Sequence, residues 1–183
     1  KREEEMDGKT MLVYGFGAIG SRLGRLARAF GMNVVGIRRS PATAADDGVT
    51  IRPPADFHAA LADADVVVLT CPLTDATRGL VDAGALAAMK PGAYLINVAR
   101  GPVAVENAVV AALRSGAIAA AGLDVFDPEP LPATSALWGL ENAVVTPHTA
   151  GETRRYEANV LDFLVENLDR LARGETELVN QIV

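Results

Sequence analysis

The sequence predicts an α/β fold built on a parallel sheet, and two of its features carry that prediction. Short apolar runs of strand length alternate along the chain with segments of helical period, which is the pattern of βαβ units. The chain has 183 residues and is 50% hydrophobic, enough to bury one sizeable core. Six strands are predicted, over residues 11–14, 33–37, 65–70, 93–98, 119–125 and 143–146. This rhythm indicates a doubly wound, Rossmann-type sheet.

Helical segments are predicted between and after these strands. Apolar residues recur at helical spacing behind the first strand and predict a buried helix face, which comprises Ile19, Leu23, Leu26, Ala27 and Phe30. Residues 55–62 and 105–113 predict two more helices, and residues 152–173 predict a last amphipathic one with Val160, Phe163, Leu164 and Leu168 on one side. Gly31 and Gly116 stand where C-terminal caps of helices are expected.

Composition excludes several classes of partner. The chain has 17 Lys and Arg against 23 Asp and Glu, and it has no basic block, so we expect no nucleic-acid partner. Its apolar runs are too short for a membrane span and no targeting motif is present, so we expect no membrane association. The single cysteine, Cys71, offers no disulfide and no metal-ligand spacing, which fits a cytoplasmic protein without a metal.

A glycine motif follows the first predicted strand and opens the first predicted helix. Gly15, Gly17 and Gly20 have the spacing that permits a tight turn, the approach of a pyrophosphate and close packing of helix on strand. The start of the helix would add free N–H groups and a favourable dipole for the phosphates. The motif therefore predicts a dinucleotide site.

The end of the second predicted strand bears on which dinucleotide is bound. A site for NAD(H) usually has a carboxylate there for the ribose hydroxyls, whereas this strand ends in Arg38, Arg39 and Ser40. Two guanidinium groups can pair with a 2′-phosphate, so we expect a preference for NADP(H), with NAD(H) as the alternative. The competing interpretation is that one arginine stacks on adenine or faces solvent.

Three polar side chains stand near the ends of later apolar runs. Arg100 follows the fourth predicted strand, Glu129 lies in a proline-containing loop after the fifth, and His148 follows the sixth. Each alone is as well explained by a solvated or turn residue. Together they are more informative, because parallel strands bring their carboxyl ends to one crevice. They are the groups needed to bind a carboxylate and move a proton.

These motifs together resemble the D-isomer-specific 2-hydroxyacid dehydrogenase family. The resemblance covers residues 11–153 and rests on the glycine motif, the run Cys71-Pro72-Leu73-Thr74 with Thr77, and residues 97–101, 124–130 and 146–151. It implies an enzyme that transfers a hydride between a nicotinamide cofactor and a small 2-keto or 2-hydroxy acid, with D specificity. No metal is required, since arginine and imidazolium supply electrophilic stabilisation.

The resemblance also implies a role for each site residue. Arg100 would grip the substrate carboxylate, because its guanidinium offers a permanent charge and a fixed fork of donors. His148 would be the general acid in reduction and the base in oxidation, and Glu129 would orient its ring and favour the imidazolium. Asp124 would contact the nicotinamide carboxamide. The remaining implied cofactor contacts are Ala18 and Ile19 at the pyrophosphate, and Cys71, Pro72, Thr77, Val98 and Ala99 around the nicotinamide and its ribose.

Members of this family carry a substrate domain ahead of the glycine motif, and this chain has almost none of it. We therefore expect a fragment in which the substrate domain is largely absent, with a dinucleotide-binding domain at 1–153 and a return helix and tail at 154–183. We expect this fragment to be inactive by itself. The full-length protein is expected to be a homodimer.

Two classes of function stay open at this point. The first is a reductase of the glyoxylate or hydroxypyruvate type, favoured by the two arginines after the second strand and by the complete set of Arg100, Glu129 and His148. The second is an NAD(H)-sensing interaction protein of the corepressor type. Dehydrogenases of phosphoglycerate, formate or phosphite are further alternatives within the family.

Three residues that invite a functional interpretation are given a structural one. Cys71 lies beside Pro72 with no local sign of a base, so we interpret it as a wall of the cofactor site and not as a nucleophile. His58, in the helix predicted for 55–62, is interpreted as a surface residue. Trp138 is expected to serve packing and not cofactor stacking.

Overall fold

The structure is a computed structural model that describes residues 5–40 and 48–181. The extreme ends of the two predicted domains, residues 1–4 and 182–183, lie outside the described residues. The chain divides into two compact units, Lys1–His148 and Thr149–Val183. In the described ranges, no helix is long and apolar enough to cross a membrane.

Within the described residues, the first unit contains seven strands in one parallel sheet with helices between them. The strands are β1 (Thr10–Tyr14), β2 (Asn33–Ile37), β3 (Thr50–Arg52), β4 (Val66–Leu69), β5 (Tyr94–Asn97), β6 (Ala120–Leu123) and β7 (Ala143–Val145). The α-helices are α1 (Ala18–Ala29), α2 (Phe57–Leu61), α3 (Ala83–Ala88) and α4 (Glu106–Ser115), and short 3₁₀ turns cover Pro54–Asp56, Gly101–Val103 and Ala136–Gly139.

The spatial order of the strands is β3-β2-β1-β4-β5-β6-β7, and every pairing is parallel. The chain moves outward from β1 in one direction through β2 and β3 and then returns to the other side of β1 at β4. This reversal creates the crevice in which doubly wound folds bind ligands. The order confirms the predicted Rossmann-type, doubly wound sheet.

The core lies on both faces of the sheet, because successive residues of a strand point to opposite sides. Leu12, Val67 and Leu95 belong to the larger cluster, whereas Val13 and Val68 belong to the smaller cluster. All five residues have at most 2% of their surface exposed. The central strands are therefore buried on both faces, which explains why they were recognisable as short apolar runs.

The predicted buried face of α1 is wrong in three of its five positions. Ile19, Leu26 and Phe30 are 56–65% exposed, whereas the buried residues of the helix are Gly20, Gly24 and Ala27. The reason is the close approach of the helix to β1 and to Phe16: a Cβ on Gly20 would lie 3.0 Å from Val13 Cγ1, and one on Gly24 would lie 3.0 Å from the ring of Phe16. Small residues, and not the large apolar ones, form the contact face.

Strand β3 was not predicted, because its three residues include only one large apolar side chain, Ile51. The other six strands match their predictions within a few residues at either end. The segment predicted as one helix over 55–62 is divided into the 3₁₀ turn Pro54–Asp56 and α2. The expected glycine caps are confirmed, since Gly31 and Gly116 both have a left-handed φ, of +78° and +73°.

The second unit contains one helix, α5 (Tyr156–Ala172), among its described residues. It begins four residues later than predicted, because residues 149–155 form turns that bond Glu152 to Thr149 and Tyr156 to Thr153. None of its residues is buried, and its apolar residues are exposed, among them Val160, Phe163, Leu164 and Leu168.

Candidate active site

One row of paired residues runs level across the carboxyl edge of the sheet. The row consists of Ile37, Tyr14, Leu69, Asn97, Leu123 and Val145, each aligned with the next. Residues that follow this row by a few positions emerge at the same edge. They include the predicted site residues Arg38, Gly15, Cys71, Val98, Arg100, Asp124 and His148. The register of the sheet thus brings residues from six separate segments to one edge.

The glycine loop (residues 15–20) joins β1 to α1 at this edge. Gly15 has a φ of +99°, and a Cβ there would lie 2.5 Å from the backbone nitrogen of Cys71, so a side chain is excluded on two grounds. A Cβ on Gly17 would meet no atom within 4 Å. Gly15 is therefore required by the fold itself, whereas the open space at Gly17 leaves room for a ligand.

The start of α1 offers backbone donors beside that space. The N–H of Ser21 donates to the carbonyl of Gly17 at 2.8 Å. The N–H groups of Ala18, Ile19 and Gly20 precede this bond, and helix geometry gives such groups no intrahelical acceptor. Donors of this kind, at the positive end of a helix dipole, fit a pyrophosphate.

A cavity of about 700 Å³ lies against the glycine loop and the ends of β2 and β4. We call it the glycine-loop cavity. Among its lining residues are the predicted cofactor residues Gly15, Gly17, Arg38, Arg39, Ser40, Cys71, Pro72 and Thr77. The other predicted cofactor residues, Ala18, Ile19, Gly20, Val98, Ala99 and Asp124, are not part of this lining.

Two arginines provide positive charge at the β2 side of the glycine-loop cavity. Arg38 donates from Nε to the carbonyl of Ser40 at 3.1 Å, which holds its guanidinium beside the loop, and Arg39 is exposed. None of the described lining residues is Asp or Glu. The donor set at this position suits an anionic group such as a phosphate.

Cys71 and Thr77 form the opposite wall. Burial raises the pKa of the Cys71 thiol to about 11, so the thiol stays protonated at neutral pH and lacks nucleophilic character. The Thr77 hydroxyl donates to the carbonyl of Pro72 at 2.7 Å and accepts from the N–H of Thr74 at 2.8 Å. These bonds fix the loop that follows β4.

Asn97 shapes the loop that carries Arg100. Its side chain is buried, donates from Nδ2 to the carbonyl of Arg100 at 3.1 Å and accepts on Oδ1 from the N–H of Ala99 at 3.0 Å. Arg100 itself is exposed and donates from Nη1 to the carbonyl of Ala99 at 2.6 Å. Asn97 was part of a recognised motif but was not predicted as a site residue, although a polar residue that ends an apolar strand is a recognisable signal for such a role.

His148 and Glu129 form a pair at the ends of β7 and β6. His148 Nδ1 lies 2.8 Å from Glu129 Oε2, and Glu129 Oε1 accepts the N–H of Phe126 at 2.8 Å. The hydrogen bond from His148, that from Phe126 and the charge of Arg100 hold the pKa of Glu129 below its ordinary value of 4.5. With Nδ1 directed at Glu129, Nε2 of the ring points the other way and is available to a ligand.

Asp124 and Thr146 connect the ends of β6 and β7. Asp124 is buried, with 4% of its surface exposed, and Oδ1 accepts a hydrogen bond of 2.5 Å from the Thr146 hydroxyl. A buried carboxylate needs such partners. Thr146 was part of a recognised motif but was not predicted as a site residue.

Trp138, which was expected to serve packing, does not belong to the buried core. It is 57% exposed and contributes to a cavity of about 640 Å³ together with Glu129 and His148. The neighbouring Leu137 is the residue that is buried, at 1% exposure. His58 is on the surface as predicted, edge-on to the ring of Phe57.

Among the described residues, no group of three or more His, Cys, Asp or Glu side chains could hold a metal ion.

Comparison with known proteins identifies the family. Residues 1–150 match the family described as D-isomer specific 2-hydroxyacid dehydrogenase, NAD binding domain. A hydroxypyruvate reductase of Blautia hydrogenotrophica is 36% identical over 93% of this chain and 52% of its own length. A glyoxylate reductase of Aeropyrum pernix is 38% identical over 98% of this chain and 54% of its own length. The chain spans about half the length of the curated relatives it matches.

Solved structures from the same family are also similar to this chain. One is a D-isomer specific 2-hydroxyacid dehydrogenase from Xanthobacter autotrophicus Py2, in complex with NADPH and MES. It superimposes with a TM-score of 0.86 and 40% sequence identity, and the match covers 96% of this chain and 71% of that chain. Another is an NADPH-dependent glyoxylate/hydroxypyruvate reductase from Sinorhizobium meliloti, in complex with NADP and sulfate. Its TM-score is 0.87 and its sequence identity is 30%, and the match covers 98% of this chain and 58% of that chain. The chain therefore belongs to the D-isomer specific 2-hydroxyacid dehydrogenase family and contains its NAD binding domain.

Proposed function

We propose that this chain is the cofactor-binding part of a reductase that interconverts small 2-keto acids and D-2-hydroxy acids with NADP(H). The observation that carries the proposal is the 2.8 Å contact between His148 Nδ1 and Glu129 Oε2, at the same sheet edge as the glycine loop. A carboxylate that orients an imidazole is the arrangement of a general acid and base. A purely NAD(H)-sensing corepressor would have no use for it, so we favour the enzyme.

In the proposed reaction, Arg100 binds the substrate carboxylate and polarises the keto oxygen, with its exposed guanidinium as a rigid fork of donors. His148, as imidazolium, donates its Nε2 proton to that oxygen in reduction and takes a proton from the hydroxyl in oxidation. Glu129 stabilises the imidazolium, because its low pKa keeps the carboxylate ionised throughout. The nicotinamide, when bound, supplies or accepts the hydride.

The cofactor is proposed to lie along the carboxyl edge of the sheet. Ala18 and Ile19 would donate to the pyrophosphate, and Gly17 would leave room for it. Val98, Ala99 and Asp124, at the ends of β5 and β6, would contact the nicotinamide half together with Cys71, Pro72 and Thr77. Residues 1–153 would form this domain, and residues 154–183 its return helix and tail.

Preference for NADP(H) over NAD(H) is proposed from Arg38 and Arg39. Their charges lie on the wall where β2 ends, among lining residues that include no carboxylate in the described part of the chain. Two related structures hold NADPH or NADP, which supports the same preference here. A ribose 2′-phosphate would pair with these guanidinium groups.

The test is an assay of the full-length protein that carries this chain, which we propose to be a homodimer. Reduction of glyoxylate, hydroxypyruvate and larger 2-keto acids would be followed with both NADPH and NADH. The proposal expects turnover of at least one acid, with the D enantiomer formed wherever the product is chiral, and a higher kcat/KM for NADPH than for NADH. Absence of any turnover in a protein that binds the cofactor would refute the enzymatic function.

A further inference from the structure

The cavity of about 640 Å³ beside His148 has features that the proposed proton transfer does not explain. We call it the Trp138 cavity. Its lining contains Glu129 and His148 together with an apolar wall made of Leu131, Trp138, Val145 and Pro147. Nothing in the reduction of a keto group by itself requires such a wall.

Trp138 is held in place with its apolar surface open to the cavity. It lies on the 3₁₀ turn Ala136–Gly139, which Leu137 anchors in the core. The Trp138 Nε1 donates to the carbonyl of Pro132 at 2.9 Å. The only polar atom of the indole is therefore satisfied within the chain, and 57% of the residue remains exposed. An aromatic ring fixed in this way can bind an apolar group with little loss of conformational entropy.

The turn that carries Trp138 is itself fixed from behind. The Ser135 hydroxyl donates to Glu106 Oε1 at 2.8 Å and accepts from the N–H of Leu137 at 3.3 Å. Glu106 begins α4, so the position of the ring is tied to the core of the domain and not to a free loop. The apolar wall is therefore preformed.

The polar groups of the cavity limit what can occupy it. Thr146 already donates to Asp124, and Glu129 is bonded to His148 and Phe126. None of the described lining residues is Lys or Arg. A phosphorylated side chain would therefore meet no lysine or arginine among these residues, whereas an apolar one would contact several apolar side chains.

We propose that the Trp138 cavity receives the side chain of the substrate, and that the enzyme prefers 2-keto acids with a branched aliphatic or aromatic group at C3. This inference rests on the proposed function, because it requires the keto oxygen at His148 and the carboxylate at Arg100. With those two groups engaged, the substituent on C2 is the part of the substrate left to contact Leu131, Trp138, Val145 and Pro147. Trp138 is then a specificity-determining residue and takes no part in proton transfer.

The test compares 4-methyl-2-oxopentanoate, which has a branched side chain, with glyoxylate, which has none. Both are assayed with NADPH in the full-length protein and in its Trp138→Ala variant. We expect the variant to lose at least about tenfold more kcat/KM for the branched acid than for glyoxylate, mostly through KM, because the contact forms in the ground state as well as in the transition state. Trp138→Phe should restore most of the preference.

Tyr94→Ala is the matched control, since Tyr94 is a 45% exposed aromatic residue at the opposite, amino-terminal end of β5. It should leave the ratio of the two kcat/KM values unchanged. If Trp138→Ala lowers both values equally or lowers neither, the subsite assignment is wrong while the proposed function stands. If the wild-type protein reduces neither acid nor any other 2-keto acid, the proposed function fails and the subsite assignment fails with it.

Discussion

The glycine loop and the set of Arg100, Glu129 and His148 lie at the same edge of one sheet but are held there by different means. Gly15 is fixed by backbone contacts, and even one added methyl group would meet the backbone of Cys71. Arg100, Glu129 and His148 are exposed side chains held by a few hydrogen bonds. The proposed nucleotide half of the site is thus part of the fold, whereas the proposed catalytic half consists of side chains that the fold does not require.

The largest effect on the rate of reaction is expected from His148, a side chain that the fold does not need. His148→Ala in the full-length protein should lower kcat for 2-keto acid reduction by about 10²–10⁴-fold, because the proton donor is lost. The Kd for NADPH and the melting temperature should change little, since the side chain is 47% exposed. Steady-state kinetics and calorimetric titration would check this, and a loss of cofactor binding would show that His148 is structural.

The converse is expected at Gly15, where a small change should damage the fold. Gly15→Ala should lower the free energy of unfolding by about 2–4 kcal/mol, through a strained positive φ and overpacking against Cys71. Urea denaturation of the chain measures this directly.

Gly17→Ala is the matched control for Gly15→Ala, because its Cβ would meet no protein atom within 4 Å. Its stability should stay near that of the wild type while its affinity for NADPH falls. Equal losses of stability in the two variants would contradict the idea that the open space at Gly17 is reserved for the cofactor.

A smaller effect is expected from the charged wall of the glycine-loop cavity. Arg38→Asp combined with Arg39→Ala should shift the ratio of NADPH to NADH affinities toward NADH by about tenfold or more, because a charged hydrogen bond to a 2′-phosphate is replaced by repulsion. Arg25→Ala removes a comparable exposed charge from α1, away from the cavity lining, and should leave the ratio as it is. An unchanged ratio in the double variant would remove the basis for the NADP(H) assignment.

The smallest effect concerns the stability that Glu129 contributes. The pKa of Glu129 is lower in the folded state than its ordinary value of 4.5. The ionised carboxylate therefore stabilises the fold at pH values above 4.5, and this stabilisation is lost as the pH falls through the folded-state pKa. Because the side chain is 35% exposed, solvent screening keeps it below about 1 kcal/mol. The difference in unfolding free energy between wild type and Glu129→Gln should therefore shrink as the pH falls below 4.5. A difference that grows on acidification would contradict the assigned shift.

Some features of the fold and the site could be predicted from the sequence and others could not. The glycine spacing and the apolar runs predicted the sheet and the glycine loop between β1 and α1, because both depend on local backbone geometry and burial. The contact face of α1 was assigned wrongly, since hydrophobic spacing cannot reveal that glycines bring the helix close to Phe16. Asn97 was assigned no role of its own and Trp138 was expected to pack, because their hydrogen bonds run across loops, which no periodic pattern encodes.

The most direct test of the shared edge uses Trp138, the only tryptophan of the chain. It lines the same cavity as His148 and Thr146, and Thr146 is bonded to Asp124, where the nicotinamide is proposed to lie. Titration of the chain with NADPH, with excitation of the tryptophan, should quench the Trp138 emission and produce sensitised emission from the nicotinamide. The effect should be weaker in Gly17→Ala at equal concentration. Saturating NADPH that leaves the Trp138 emission unchanged would contradict a cofactor bound along this edge.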